Sequence, residues 1–150
     1  MYRIIGGTAI ILSCTMAASY INSLEKRKIE QAEALIELVK YTRDQIDSYA
    51  MPIEKILLGS KEILIKIGKE NIKSFSELSE GCIEECRKTI LLFGESIGKG
   101  YREQQVKMCD RVLSELESIR KKLAEAYPSK KKTNSALCFA AGGALLIALL

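Results

Sequence analysis

The distribution of charge along the chain constrains its fold more than any other property. Of 23 basic and 19 acidic residues, all but Arg3 lie between Glu25 and Lys132. Two uncharged runs remain at the ends, 18 residues from Ile4 to Ile21 and 16 residues from Ser135 to Leu150. As helices they reach about 27 and about 24 Å, against a hydrocarbon thickness of about 30 Å. The first is long enough to cross a bilayer. The second crosses if the bilayer thins locally or if Lys130, Lys131 and Lys132 snorkel to the interface. A stretch reading ALCFAAGGALLIALL has no polar face to turn to water, so lipid is its expected surrounding. Three parts are therefore predicted: an N-terminal transmembrane anchor over 1–21, a helical domain over 22–134 and a C-terminal transmembrane segment over 135–150.

Orientation follows from the basic clusters. Lys26, Arg27 and Lys28 follow the first run and Lys130, Lys131 and Lys132 precede the second, while Arg3 alone lies on the other side. The excess of positive charge beside cytoplasmic membrane ends predicts that 22–134 faces the cytoplasm. A cleavable signal peptide, with Ala17, Ala18 and Ser19 near the cleavage site, is the rival reading. It exports the domain and places Lys130 to Lys132 on the wrong side of the second span. Small residues in the runs, Gly6, Gly7, Ala9, Ser13 and Ala17 in one and Ala140 to Ala144 in the other, suit close helix approach within the molecule or between copies. Neither run carries an ionisable acidic or basic side chain, so neither reads as an ion pathway.

The polar part shows no alternating strand pattern and no Asn-Gly or Asp-Gly hairpin signal. Apolar residues recur instead at helical spacing. Ile29, Ala32, Leu35, Ile36, Val39 and Ile46 form one stripe, ending at Met51 and Pro52. A second helix is predicted from Pro52 through Ile56 and Leu57 to Gly59, and a third segment with Ile63, Leu64 and Ile67 before Gly68. Ser74 and Glu77 have capping-box spacing and predict a helix running to about Leu92. Gly94, Gly98 and Gly100 mark a turn, and Tyr101 to about Tyr127 forms a long helix with Val106, Cys109, Leu113, Leu116, Ile119 and Leu123 on one face. Pro128 is expected to end or kink it. Amphipathic helices joined by short turns bury their faces against one another, so the fold class is all-α, an antiparallel helical bundle flanked by an N-terminal and a C-terminal transmembrane helix. A plain two-helix coiled coil is disfavoured by the breaks at Pro52, Gly59, Gly68 and Gly81.

Composition argues against an enzyme. The chain has no His and no Trp, which removes the commonest general base, the usual zinc ligand and a favoured stacking residue. GESIGKG, Gly94 to Gly100, resembles a phosphate loop only superficially: Gly94 and Gly98 are separated by three residues, Gly100 stands where Ser or Thr would bind the metal, and no strand precedes it. Cys82 and Cys86 lie one helical turn apart, and with Cys109 they supply three thiolates but no fourth ligand. The default is buried thiols in a reducing compartment, with no metal and no cofactor. Glu84 with Glu85, and Glu115 with Glu117, read as a solvated face. Basic residues alternate with acidic ones away from the membrane flanks, so the clusters suit anionic headgroups and no nucleic acid is expected as partner.

The stretch Phe93 to Gln105, FGESIGKGYREQQ, resembles the stage III sporulation protein AB family of endospore-forming bacteria, which carries Phe-Gly-x-x-Leu-Gly followed by a Gln near the start of its last long helix. Phe93, Gly94, Ile97 in place of Leu, Gly98 and Gln105 match. Tyr101 stands where the family favours an acidic residue, Pro128 interrupts the approach to the second span, and Met51 to Leu57 is similar to the Pro-containing start of the family's second helix. The resemblance implies a non-enzymatic platform component in the secretion-like channel complex between mother cell and forespore. It places the chain in the mother-cell membrane surrounding the forespore, with the helical domain similar to that of the inner-membrane platform protein of type II secretion. The implied partners are a cytoplasmic secretion-type ATPase and other channel subunits; the small-residue faces, apart from the resemblance, suit a second copy of the chain. A membrane-anchored signalling or scaffold protein unrelated to secretion is the competing class.

Overall fold

The structure, a computed structural model, describes residues 2–69 and 72–149; Met1, Glu70, Asn71 and Leu150 lie outside the described residues, as do the side chains of Tyr2, Arg3, Ile4, Ile5 and Leu149. All regular structure among the described residues is helical: α1 (Tyr2–Tyr49), α2 (Ile53–Gly59), α3 (Lys61–Ile67), a 3-10 helix (Phe75–Gly81), α4 (Glu84–Ser96) and α5 (Arg102–Leu149). The chain forms two compact units, one comprising residues up to Arg27 together with those from Leu123, the other running from Lys28 to Lys122.

In the Lys28–Lys122 unit, α1 contributes a seam of Ala32, Leu35, Leu38, Val39, Thr42 and Ile46, all buried. These positions fall at three- and four-residue intervals, so one face turns inward. Ile56 of α2, Leu64 of α3, Leu78 of the 3-10 helix, Ile90 and Phe93 of α4 and Leu116 of α5 complete the core. Thr42, fully buried, donates its hydroxyl proton to the Leu38 carbonyl, which leaves no polar cost at the centre of the seam. On the surface, Glu33 pairs with Arg120 at 2.8 Å, Arg43 with Asp110 at 2.5 Å and Asp47 with Arg102 at 3.0 Å. As residue numbers rise on α1 they fall on α5, so these segments run antiparallel. The pairs are half exposed and fix register more than they add stability.

The other unit packs the start of α1 against the end of α5, again antiparallel. Glu25 pairs with Lys130 at 2.9 Å, and Asn22 donates to the Ser135 hydroxyl at 3.4 Å. At Gly142 an added Cβ would lie 2.5 Å from the Cys14 sulfur, which would have to move, whereas one at Gly7 would meet Leu146 at 3.5 Å, an ordinary contact. Gly6 and Gly143 have open space around them. Gly142 thus favours the close approach, and the large side chains face away: Ile11, Leu12, Met16, Leu137, Phe139, Leu145 and Ile147 are all more than half exposed. Among the described residues one helix, α1, is long and apolar enough to cross a membrane, and only 6% of its apolar stretch is buried. So little burial sets it apart from the core helix of a soluble protein and suits a membrane anchor. The uncharged run from Ser135 is helical as the end of α5, and over its described residues it does not meet the same combination of length and apolarity.

Three details of the helix reading are corrected. The predicted helix from Ser74 to Leu92 is two elements, the 3-10 helix and α4, parted at Cys82 and Ile83. Ser74 does not cap: its hydroxyl pairs with that of Ser76 at 2.8 Å, and Glu77 accepts from the Lys73 amide. The break is held from α1 by Gln31, which accepts the Ile83 amide proton at 2.8 Å and donates to the carbonyls of Gly81 at 2.9 Å and Ile67 at 3.1 Å. Secondly, Gly94 lies inside α4, which continues to Ser96, and is not part of the turn. Thirdly, Pro128 lies inside α5 and does not end it. Proline removes one amide donor, and the helix continues beyond it, where Lys130 meets Glu25 and Ser135 meets Asn22.

Candidate functional site

The end of α4 and the turn that joins it to α5 are built by residues that each meet a different physical demand. Phe93 is buried against Phe75, ring centroids 5.3 Å apart and planes at 64°, an edge-to-face pair that seats α4 on the 3-10 helix. Gly94 permits that seating, since a Cβ there would stand 2.3 Å from the Ser76 amide nitrogen and 2.6 Å from the Phe75 carbonyl carbon. Ile97 is buried and leaves the helix with extended backbone. Gly98 and Gly100 then reverse the chain at φ +83° and +90°, a region costly for side-chain-bearing residues.

Gln105 holds this reversal from the first turns of α5. Its carbonyl oxygen accepts the Gly98 amide proton at 3.1 Å and its amide nitrogen donates to the Gly100 carbonyl at 3.1 Å. One primary amide thereby occupies a donor and an acceptor of the two left-handed residues. Gln104 adds the return half of a cap, accepting the Tyr101 amide proton at 3.4 Å. Tyr101 itself, at the position where an acidic residue was expected, is 81% exposed and starts α5 through its backbone carbonyl, which accepts from the Gln104 and Gln105 amides.

A model of stage III sporulation protein AB matches residues 61–150, more than half the chain and all of this turn. The chain belongs to the stage III sporulation protein AB family. That membership gives it a role in sporulation, within a family not known as enzymatic. No curated protein and no solved structure matches the chain. The matched stretch excludes α1 and α2, so the similarity noted at Met51 to Leu57 rests on those residues alone.

In this stage III sporulation protein AB member the turn forms one wall of a cleft of about 650 Å³. The opposite wall is the break between α1 and α2, where Ala50, at φ +47°, ends α1 with its amide donating to the Ile46 carbonyl. Ile53, Phe75 and Ile97 supply apolar lining, and Lys73, Lys99 and Arg102 outnumber Glu54 among the charged side chains. The sequence pointed to the turn but not to the cleft, whose second wall comes from residues some 45 positions earlier.

The six basic residues of the two clusters sit on α1 and α5. Among the described residues, Lys130 is the one of the second cluster that meets a carboxylate, Glu25. Lys131 and Lys132 are exposed. Cys82, Cys86 and Cys109 are buried thiols, and no group of three His, Cys, Asp or Glu among the described residues is placed to hold a metal.

Burial pushes the Cys82 and Cys109 thiols up to about 11 and that of Cys86 up to about 12. Nearby negative charge, Glu85 for Cys86 and Asp110 for Cys109, adds to the rise. At pH 8 the thiolates of Cys82 and Cys109 are about 100-fold scarcer than for a free thiol and that of Cys86 about 1000-fold, and alkylation of the native protein by iodoacetamide is expected to be slower by at least about 100-fold. Labelling of these three at free-thiol rates in native protein would contradict their burial. Since the folded state holds these protons more tightly than the unfolded chain, their stabilising contribution is complete below about pH 9 and is lost as pH rises through 11 to 12.

Proposed function

We propose that this family member is a non-enzymatic platform component of the secretion-like channel complex between mother cell and forespore, and that the cleft beside the clamped turn is where a cytoplasmic secretion-type ATPase docks. The cleft is the observation that carries the docking. Docking that transmits motion needs a concave surface that does not yield. Here the walls are fixed by the Gly94 contact, the Phe75–Phe93 pair and the two hydrogen bonds of Gln105. An apolar floor rimmed by lysines suits a hydrophobic anchor residue followed by an acidic one.

In this reading both uncharged ends cross the mother-cell membrane around the forespore, the C-terminal one where the bilayer thins, and residues 22–134 face the cytoplasm. The outward-facing Ile11, Leu12, Met16, Leu137, Phe139, Leu145 and Ile147 support it, because so large an apolar surface has no stable place in water. Other channel subunits, or a second copy of the chain, meet those helices within the lipid. The hydrolysis belongs to the ATPase.

The test is co-purification of the full chain with the ATPase. Replacing Ile53 by Asp and Lys99 by Glu inverts the cleft's chemistry at two half-exposed or exposed positions. Recovery of ATPase is expected to fall by about tenfold or more. Undiminished recovery with this double variant would remove the cleft from the docking surface.

A further inference from the structure

Within the unit formed by the start of α1 and the end of α5 lies a second concavity, of about 450 Å³, unrelated to the glycine turn. On α1 its wall carries Ser19, Asn22 and Ser23, and on α5 Lys131, Ser135 and Phe139. The residues follow helical spacing on both sides, so each helix turns one continuous strip toward the crevice.

The chemistry of the lining is asymmetric. Lys131 is the one charged residue that lines it, and the polar remainder consists of hydroxyl and amide groups with no carboxylate among them. Its neighbour Lys130 is paired with Glu25, whereas Lys131 makes no ion pair with a described residue. Asn22, 9% exposed, reaches Ser135 and Asn134 only at 3.4 and 3.5 Å, the long limit of a hydrogen bond, so its capacity is incompletely used. Polarity changes along the axis as well. Lys131, Tyr127 and Ser23 stand at the end nearer the charged part of the sequence, and Phe139, Ala18 and Thr15, whose hydroxyl proton is taken by the Leu12 carbonyl, at the end inside the uncharged runs.

A crevice with one cation and several hydroxyl and amide groups above, and an aromatic ring below, bordered by outward-facing aliphatic side chains, matches an amphiphile with an anionic head. We propose that it binds an anionic glycerophospholipid, the phosphoryl group held by Lys131 with the Ser19 and Asn22 side chains and an acyl chain lying along Phe139. This rests on the membrane reading of the two ends given above. A lipid seated there bridges the two helices where their direct hydrogen bonds are weakest.

The full chain, reconstituted with vesicles of phosphatidylglycerol and phosphatidylcholine, is first floated on a density gradient. Detergent is then exchanged, and lipid retained per protein is counted by native mass spectrometry. Wild type is expected to float and to retain phosphatidylglycerol in preference to phosphatidylcholine. K131A is expected to lower that retention roughly fivefold, as the loss of about one lysine's attraction to an anionic headgroup. S19F, which fills the crevice at an exposed position and keeps every charge, is expected to lower it comparably with helicity unchanged. K132A removes the same charge outside the crevice and is expected to lower it by less than about twofold. Failure of the wild type to float sinks the membrane reading itself. Floating protein for which K131A and K132A act alike, or for which S19F has no effect, overturns the crevice alone, and displacement of the lipid by millimolar inorganic phosphate would make it a free-anion site instead.

Discussion

Alanine at position 94 is expected to cost the protein about 3 kcal/mol or more of stability, a large part of the 5 to 15 kcal/mol that holds a typical domain folded. The added methyl would stand 2.3 Å from the Ser76 amide nitrogen and 2.6 Å from the Phe75 carbonyl carbon. Both are backbone atoms, so no rotamer change relieves the overlap. Relief requires α4 to lift from the 3-10 helix, and that movement parts the Phe75–Phe93 pair and opens a wall of the cleft. Gly98→Ala is the milder comparison. There the neighbour is the flexible Ile53 side chain at 3.1 Å, and the main cost is the left-handed backbone, about 1 to 2 kcal/mol. Thermal unfolding of the full chain in detergent, followed by helicity, checks both. A Gly94→Ala protein as stable as wild type would mean the backbone contact does not exist in solution.

Reversal of Lys130, Lys131 and Lys132 to Glu is expected to redirect the C-terminal segment in most molecules. Each lysine beside an anionic membrane surface is worth about 1 kcal/mol, and the reversal replaces three such attractions by three repulsions. It also places a like charge against Glu25 where Lys130 now pairs at 2.9 Å. Protease protection of right-side-out and inverted membranes reads the result directly. A protection pattern indistinguishable from wild type would sink the charge argument for the orientation.

The helical character was legible because apolar residues on α1 recur at three- and four-residue intervals, and the breaks after α1, α2 and α3 were legible because Pro52, Gly59 and Gly68 punctuate them. Gly68 caps α3 at φ +92°. The division at Cys82 and Ile83 was not legible. Its cause is the Gln31 side chain, about fifty residues away in sequence, and no local propensity announces it. Capping-box spacing at Ser74 and Glu77 misled for the complementary reason: both side chains found other partners nearby.

Charge segregation, helical periodicity and the Phe-Gly, Ile-Gly and Gln105 spacing of the turn were fixed by the order of residues alone, since each depends on neighbours a few positions apart. The role of each turn residue was decided only in three dimensions. A sequence shows glycine at 94, 98 and 100 without distinction, yet Gly94 is required by another backbone segment pressing on a straight helix, while Gly98 and Gly100 are required by their own dihedral angles. Pro128, for which local rules leave a helix end or a kink open, lies within a continuous α5. Contacts between distant segments set the role of Gly94 and the break at Cys82 and Ile83 because their free energy exceeds the few kcal/mol that separate one local conformation from another.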